Sequence, residues 1–156
     1  MSIAPRLQSF MDESGIDYDL MPHDREVVAT KIAQSAHVSG SAMAKGVLLK
    51  SDDGYMVAVV PASRHVDLAE LSHQSHTRLG LASEEEARAI FSDCDPGAVP
   101  ACGSAYGMPM IIDRCLDDQD DIYMEAGDHR SLIHMNRAGF AKLTADARHA
   151  EISRPN

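Results

Sequence analysis

An α+β fold, a single domain built on a central mixed, mainly antiparallel β-sheet flanked by helices, is what this sequence predicts. Three observations carry the prediction. Helical and strand patterns are interspersed without regular βα alternation, residues 43–61 read as two strands around the turn Asp53-Gly54, and no internal repeat or low-complexity linker divides the chain. With 156 residues and 44% apolar content, one core is expected over residues 1–143, followed by a polar tail over 144–156.

In chain order, Ile3, Leu7, Phe10 and Met11 recur at helical spacing, with Ser2 as N-cap and Gly15 as stop. Residues 16–21 read as extended. Ile32, Ala33 and Ala36 stripe a second helix over 30–37, which Gly40 ends. Residues 43–50 and 55–61 form the hairpin, and a third helix is expected from Ser63 through Leu68 and Leu71. After a short strand over 78–82, Ser83 and Glu86 have the spacing of a capping box and open a helix through Ile90. Strands follow at 110–113, 122–126 and 131–135, and Asn136 caps a last helix carrying Phe140 and Leu143. The polar residues after Thr144 are expected to fray.

Composition narrows the function classes. No apolar run approaches the roughly 20 residues of a membrane span, and the charged, amphipathic start MSIAPRLQSFMDE is unlike a secretory leader, so a cytoplasmic protein without a membrane partner is expected. Cys94, Cys102 and Cys115 are odd in number and lack a C-x-x-C pair, which reads as reduced thiols. A formal charge of −10 argues against DNA and against any broad grip on phosphates, so a nucleic acid must be held locally. Lys45, Lys50, Arg64, Arg130 and Arg137 fall near the informative segments. They read either as a small basic mouth or as solvated surface charges.

Three segments hold the candidate chemistry. Phe91 to Asp113 gathers three of the chain's ten glycines and Pro96, Pro100 and Pro109, the composition of a shaped loop that offers its amides to a ligand. Lys45 shares strand parity with Met43, Val47 and Leu49, so it either meets an anion, a carbonyl or a pocket, or snorkels to solvent. Gly46 beside it allows close approach of a ligand to the backbone. The third segment, EAGDH, ends at His129. A metal site drawn from Cys94, Cys102, His129 and His134, or from His73 and His76, matches no common zinc spacing, and neither a metal nor another cofactor is expected. Ser104 lacks the G-x-S-x-G elbow, Cys102 has no adjacent base in sequence, and no phosphate loop or dinucleotide fingerprint is present.

Together AKGVLLK, the GAVPACG loop followed by YGMPMIID, and EAGDHRSLIHM resemble, in order and spacing, the motif regions of the YbaK / prolyl-tRNA synthetase-associated domain family. The resemblance runs from the first helix to about Leu143. It implies an editing deacylase, either free-standing or inserted in a prolyl-tRNA synthetase and read here as free-standing, that hydrolyses the ester of a mischarged aminoacyl-tRNA carrying a small amino acid of the Ala, Ser, Cys or Thr class. It further implies that Lys45 is the motif lysine and that Gly97 and Pro100 belong to the substrate loop. Gly127 and His129 match the late glycine and the polar residue after it, and Thr30 matches a threonine lining the pocket. Gly46 stands where some alanine-specific members carry Asn, and Ala101 replaces a second proline.

On this reading Lys45 and His129 are the catalytic residues. Gly46 and the loop from Gly97 through Ala98, Val99 and Pro100 to Gly103 bind substrate with Thr30 and Gly127, and the loop amides stabilise the oxyanion. Size exclusion by the loop and by the Val47/Leu49 side of the strand is the expected sieve. The expected partner is the acceptor end of a mischarged tRNA, delivered with help from a synthetase or an elongation factor. The alternative is a non-catalytic module of the same fold that binds an aminoacyl ester, a nucleotide or a partner protein.

Overall fold

In the computed structural model, which describes residues 3–23 and 29–156, Pro5 occupies the first turn of helix α1 (Pro5–Glu13), where its missing N–H leaves no bond unmade. Ala4 is the capping position; Ser2 lies outside the described residues. Gly15, at φ +68°, turns the chain toward strand β1 (Asp19–Pro22). Helix α2 (Ala29–Ser35) buries Ile32 and Ala33, and strands β2 (Met43–Ser51) and β3 (Gly54–Pro61) pair antiparallel from Ala44↔Pro61 to Ser51↔Gly54. The two-residue turn is Asp52-Asp53, one position before the expected Asp53-Gly54, because Gly54, at φ +127°, is already paired with Ser51 as the first residue of β3.

The helix expected from Ser63 begins later. Arg64–Val66 is strand β4, and the Asp67 side chain accepts the Glu70 N–H at 3.1 Å to cap helix α3 (Leu68–Ser75). Strand β5 (Gly80–Leu81) and helix α4 (Glu84–Ile90) follow, the latter opened by the expected reciprocal Ser83–Glu86 capping box. The Gly/Pro loop then leads to β6 (Met110–Asp113), β7 (Asp121–Glu125), β8 (Ser131–Asn136) and α5 (Arg137–Leu143), which Asn136 caps through its bond from the Gly139 N–H.

The residues after Thr144 do not fray. Strand β9 (Arg148–Ala150) adds parallel to β6, strand β10 (Ser153–Pro155) pairs with β4, and Ile152 is fully buried between them. Asp113 ties this segment down: its carboxylate accepts the Cys115 N–H at 2.8 Å and the Ile152 N–H at 3.2 Å. Polar composition hid the pairing because backbone bonds to β6 and β4 and one apolar residue hold the segment.

The large sheet runs β1-β8-β7-β2-β3-β6-β9, with β5 also paired to β2; β2·β7, β3·β6 and β6·β9 are parallel and the other pairs antiparallel. One face carries the main core, where Ala44, Leu48, Val59, Ile112 and Met124 meet Leu7, Met11 and Phe140. The opposite face holds two smaller clusters, one around Leu49, Val60 and Leu71 and one around Met43, Ile32 and Leu132. Lys45 lies on that second face, between the two clusters.

Candidate functional site

The site forms where β2 loses its neighbour. The ladder with β7 ends at Ala44↔Met124 and β5 takes over only at Leu49, so the next register positions, Lys45 and Glu125, stand on opposite sides of an opening. Odd residues of β2 bond to β3, as the Ala62 N–H to Met43 carbonyl bond of 2.8 Å shows. Even residues bond the other way, where the Ala42 and Leu48 carbonyls accept from Tyr123 and Ala82. Gly46 therefore turns its own N–H and C=O toward the opening.

The Gly/Pro loop closes over this gap and is anchored at three points. The Asp95 N–H donates to the Gly127 carbonyl at 2.7 Å, and His129 Nε2 donates to the Pro96 carbonyl at 2.7 Å. The third anchor is steric: a Cβ on Gly46 would lie 2.2 Å from the Pro100 carbonyl oxygen and 3.2 Å from Ala101 Cα. The close approach that Gly46 permits is thus made by the chain's own loop. Gly97 takes φ +83°, a conformation that favours glycine, and a Cβ there would lie 3.7 Å from His129 Nε2.

These contacts enclose a pocket of about 160 Å³ lined by Lys45, Gly46, Gly97, Val99, Glu125 and His129, with Ala29, Ile32 and Met43 as an apolar wall. Lys45 is half-buried, and desolvation holds its ammonium pKa below the usual lysine value. No hydrogen bond or ion pair engages its ammonium among the described residues.

His129 is buried in a left-handed backbone conformation, φ 58°, and its N–H reaches Glu125 Oε2 at 3.3 Å. Its Nε2 proton is committed to Pro96 and its Nδ1 lies 3.9 Å from Glu125 Oε2. The ring is therefore placed to hold the loop.

Glu125 opens the EAGDH segment, where no local pattern separates it from a surface acid. Burial is the first cause that pushes its pKa up, to about 7; Asp128 and Asp95 add to the rise and the His129 N–H opposes it. Between its ordinary value near 4.5 and about 7, the folded protein keeps a proton that the unfolded chain has released, so this group's contribution to stability falls as pH rises through that window. Glu125→Gln is expected to flatten the dependence and to exceed the wild type by at most roughly 3 kcal/mol above pH 7. Urea unfolding of both proteins from pH 4.5 to 8 checks this, and parallel curves would refute it.

Several expected lining residues stand elsewhere. Thr30 is exposed, and α2 turns Ala29 and Ile32 to the pocket instead. Ala98 is buried on the far side of the loop, its N–H donating to the Asp95 carbonyl at 3.0 Å, so it is no free oxyanion donor. Pro100 backs onto Gly46 without lining the pocket, and Gly103 packs on the Met108 and Pro109 carbonyls. Gly127, at φ +119°, supports the loop from behind against Ala4 and Cys94. Of the expected sieve on β2, Leu49 is core, whereas Val47 lines an adjoining groove.

That groove, about 460 Å³, shares Gly46, Gly97 and Val99 with the pocket. It runs beside Leu81, which is 66% exposed, and along the α4 face of Glu84, Ala87 and Arg88, residues spaced i, i+3 and i+4. Nothing local in the sequence separates Arg88 from other helix-surface charges. Lys45 is the one member of the expected basic mouth that reaches the site. Lys50 pairs with Glu86 at 2.9 Å, Arg137 with Asp120 at 3.0 Å, Arg64 bonds Ser153, and Arg130 is exposed.

Thiol chemistry is disfavoured, since burial pushes Cys94 up to about 12 and Cys102 up to about 11. Among the described residues no cluster of His, Cys, Asp and Glu has the arrangement of a metal site, and no helix is long and apolar enough to cross a membrane.

The mixed-sheet fold is shared with solved structures. A scaffold protein used for epitope backbone grafting aligns over 97% of both chains at 20% identity, with a TM-score of 0.83. A crystal structure described as a "putative trans-editing enzyme for prolyl tRNA synthetase" aligns over 97% of this chain and 96% of its own, at 21% identity and a TM-score of 0.81. A third, a "putative signal transduction protein" from Marinobacter aquaeolei VT8, is 19% identical with a TM-score of 0.77; the match covers 96% of this chain but 30% of that one. These likenesses show the mixed-sheet α+β fold. The comparison with curated proteins finds no match. The sequence pattern of the aminoacyl-tRNA editing domain matches residues 24–143, and the chain belongs to that family.

Proposed function

We propose that the protein is a free-standing deacylase that hydrolyses the ester of a mischarged aminoacyl-tRNA carrying a small amino acid of the Ala, Ser, Cys or Thr class. The observation that carries the reading is the convergence of Lys45, Gly97 and Val99 on one pocket of about 160 Å³, space for a small side chain beside the ester. The larger groove takes the terminal nucleoside, with Leu81 and Ala87 against its base.

Water adds to the ester carbonyl carbon, and negative charge gathers on the carbonyl oxygen. The amides of Gly46, Gly97 and Val99 and the Lys45 ammonium stabilise that charge. The bond to the ribose oxygen then breaks, that oxygen takes a proton, and the amino acid leaves with its carboxylate. The ribose 2′-hydroxyl relays the proton. His129 acts as a positioning residue, since its Nε2 proton is held by Pro96. Burial of Lys45 supports the reading, because a desolvated cation beside amide donors acts more strongly than one in water.

The acidic body favours brief capture of the acceptor end, with a synthetase or an elongation factor delivering the tRNA in the cytoplasm. A deacylation screen over Ala-, Ser-, Cys- and Thr-charged tRNAs tests the proposal. Turnover of at least one small-residue ester and sparing of a bulky one such as Phe-tRNA is the expected result. Binding of the acceptor end without turnover of any ester would make the protein a binding module instead.

A further inference from the structure

The hydrolytic scheme leaves one charged group of the pocket without a task. Glu125 lines it from the wall across from Lys45, nine-tenths buried. Among the described residues its buried Oε1 has no hydrogen-bond partner, and its Oε2 takes only the 3.3 Å bond from the His129 N–H. His23 Nε2 and His129 Nδ1 come no closer than 3.6 and 3.9 Å, and no ion pair within 4.0 Å joins Glu125 to Lys45. A buried carboxylate is ordinarily surrounded by donors. A buried oxygen left without a donor on a residue that lines a pocket is suited to a donor that arrives with the ligand.

An aminoacyl ester carries one group of matching charge. Its carbonyl and ester oxygens are acceptors, which Glu125 repels and Lys45 attracts. Its ribose hydroxyls are neutral and belong in the groove. Its α-ammonium offers three N–H donors and a positive charge, and it sits one bond from the carbon that carries the carbonyl. The pocket has the same polarity, with the carboxylate on β7 and the ammonium on β2 at adjacent register positions of strands that have parted. Strands lie about 5 Å apart where paired, so a gap opened between them spans an amino acid's amine and carbonyl.

We propose that Glu125 receives the α-ammonium group of the aminoacyl ester, holding the amino acid by its amine so that the carbonyl faces Lys45 and the Gly97–Val99 loop. The substrate class is thereby narrowed to esters with a free α-amine, and esters of α-hydroxy acids or N-blocked residues are poor substrates. The inference rests on the deacylase reading. Burial, which favours a carboxyl that ionises fully only when a cation joins it, is consistent with such a receptor.

Alanyl-tRNA and lactyl-tRNA, which differ by an amine against a hydroxyl of nearly equal size, provide the test. Rates are taken at saturating enzyme under single turnover, each divided by the spontaneous rate for the same ester. The wild type is expected to favour the alanyl ester by about a hundredfold, and Glu125→Gln, which keeps the shape of the side chain, to bring the ratio to within about threefold of one. Equal corrected rates for the two esters in the wild type, or an unchanged ratio in the variant, would overturn the assignment while leaving the deacylase reading intact. Hydrolysis of neither alanyl- nor lactyl-tRNA, with no ester turned over in the wider screen, would overturn both. Should Glu125→Gln fail to fold, the wild-type ratio decides alone.

Discussion

Gly46→Ala should lower turnover about a hundredfold and cost roughly 1–3 kcal/mol of stability, because the new methyl has no place to go. Its carbon would lie 2.2 Å from the Pro100 carbonyl oxygen and 2.8 Å from the carbonyl carbon, both backbone atoms that cannot rotate away. Relief requires the Pro100–Ala101 segment to lift from β2, and the amides of Gly97 and Val99 move with it. A displacement of an ångström at catalytic donors is enough for a loss of that size. The loop is also held by His129 at Pro96 and by Gly127 at Asp95, so the damage concentrates at the pocket and the sheet survives. Urea unfolding combined with single-turnover deacylation measures both effects. Wild-type rates in a folded variant would show that the loop does not supply the donors.

For Lys45→Met, activity and stability should move in opposite directions. Turnover falls by about 10²–10³, the size typical of removing an electrostatic stabiliser of a developing oxyanion. The melting temperature does not fall and is expected to rise, because the ammonium is half-buried, desolvated and without an ionic partner among the described residues. Methionine replaces the aliphatic stem and fills the gap between Met43 and Val47 on the same face of β2. Circular dichroism melts alongside the deacylation assay separate the two quantities. A variant that loses stability together with activity would identify Lys45 as a packing residue that snorkels to solvent, the alternative the strand pattern leaves open.

Much of the fold was legible because its signals are short-range. The hairpin turn between Ser51 and Gly54, the Ser83–Glu86 capping box and the Asn136 cap depend on atoms within a few residues of one another. The helix begun at Ser63 was misplaced for a longer-range reason: Arg64–Val66 is recruited as a strand by residues 153–155, about 90 positions away. The same pairing, with β9 on β6, made an ordered edge of a segment whose composition reads as a tail. In the site, motif resemblance found Lys45, Gly46, Gly97, Val99 and His129, all of which line the pocket. It did not separate these from Ala98, Pro100 and Gly103, because which residues of a loop face inward depends on the surface they fold against.

By itself the sequence determined the α+β class, the central hairpin, the shaped loop and a strand lysine that either meets an anion or a pocket or snorkels to solvent. Tertiary structure decided that β2 and β7, about 80 residues apart, pair for two positions and then part. That parting makes the pocket, sets Glu125 across from Lys45, and turns His129 to the loop. The reason is the range of the interactions: turns and caps are local, whereas the point at which two distant strands stop pairing follows from everything packed between them.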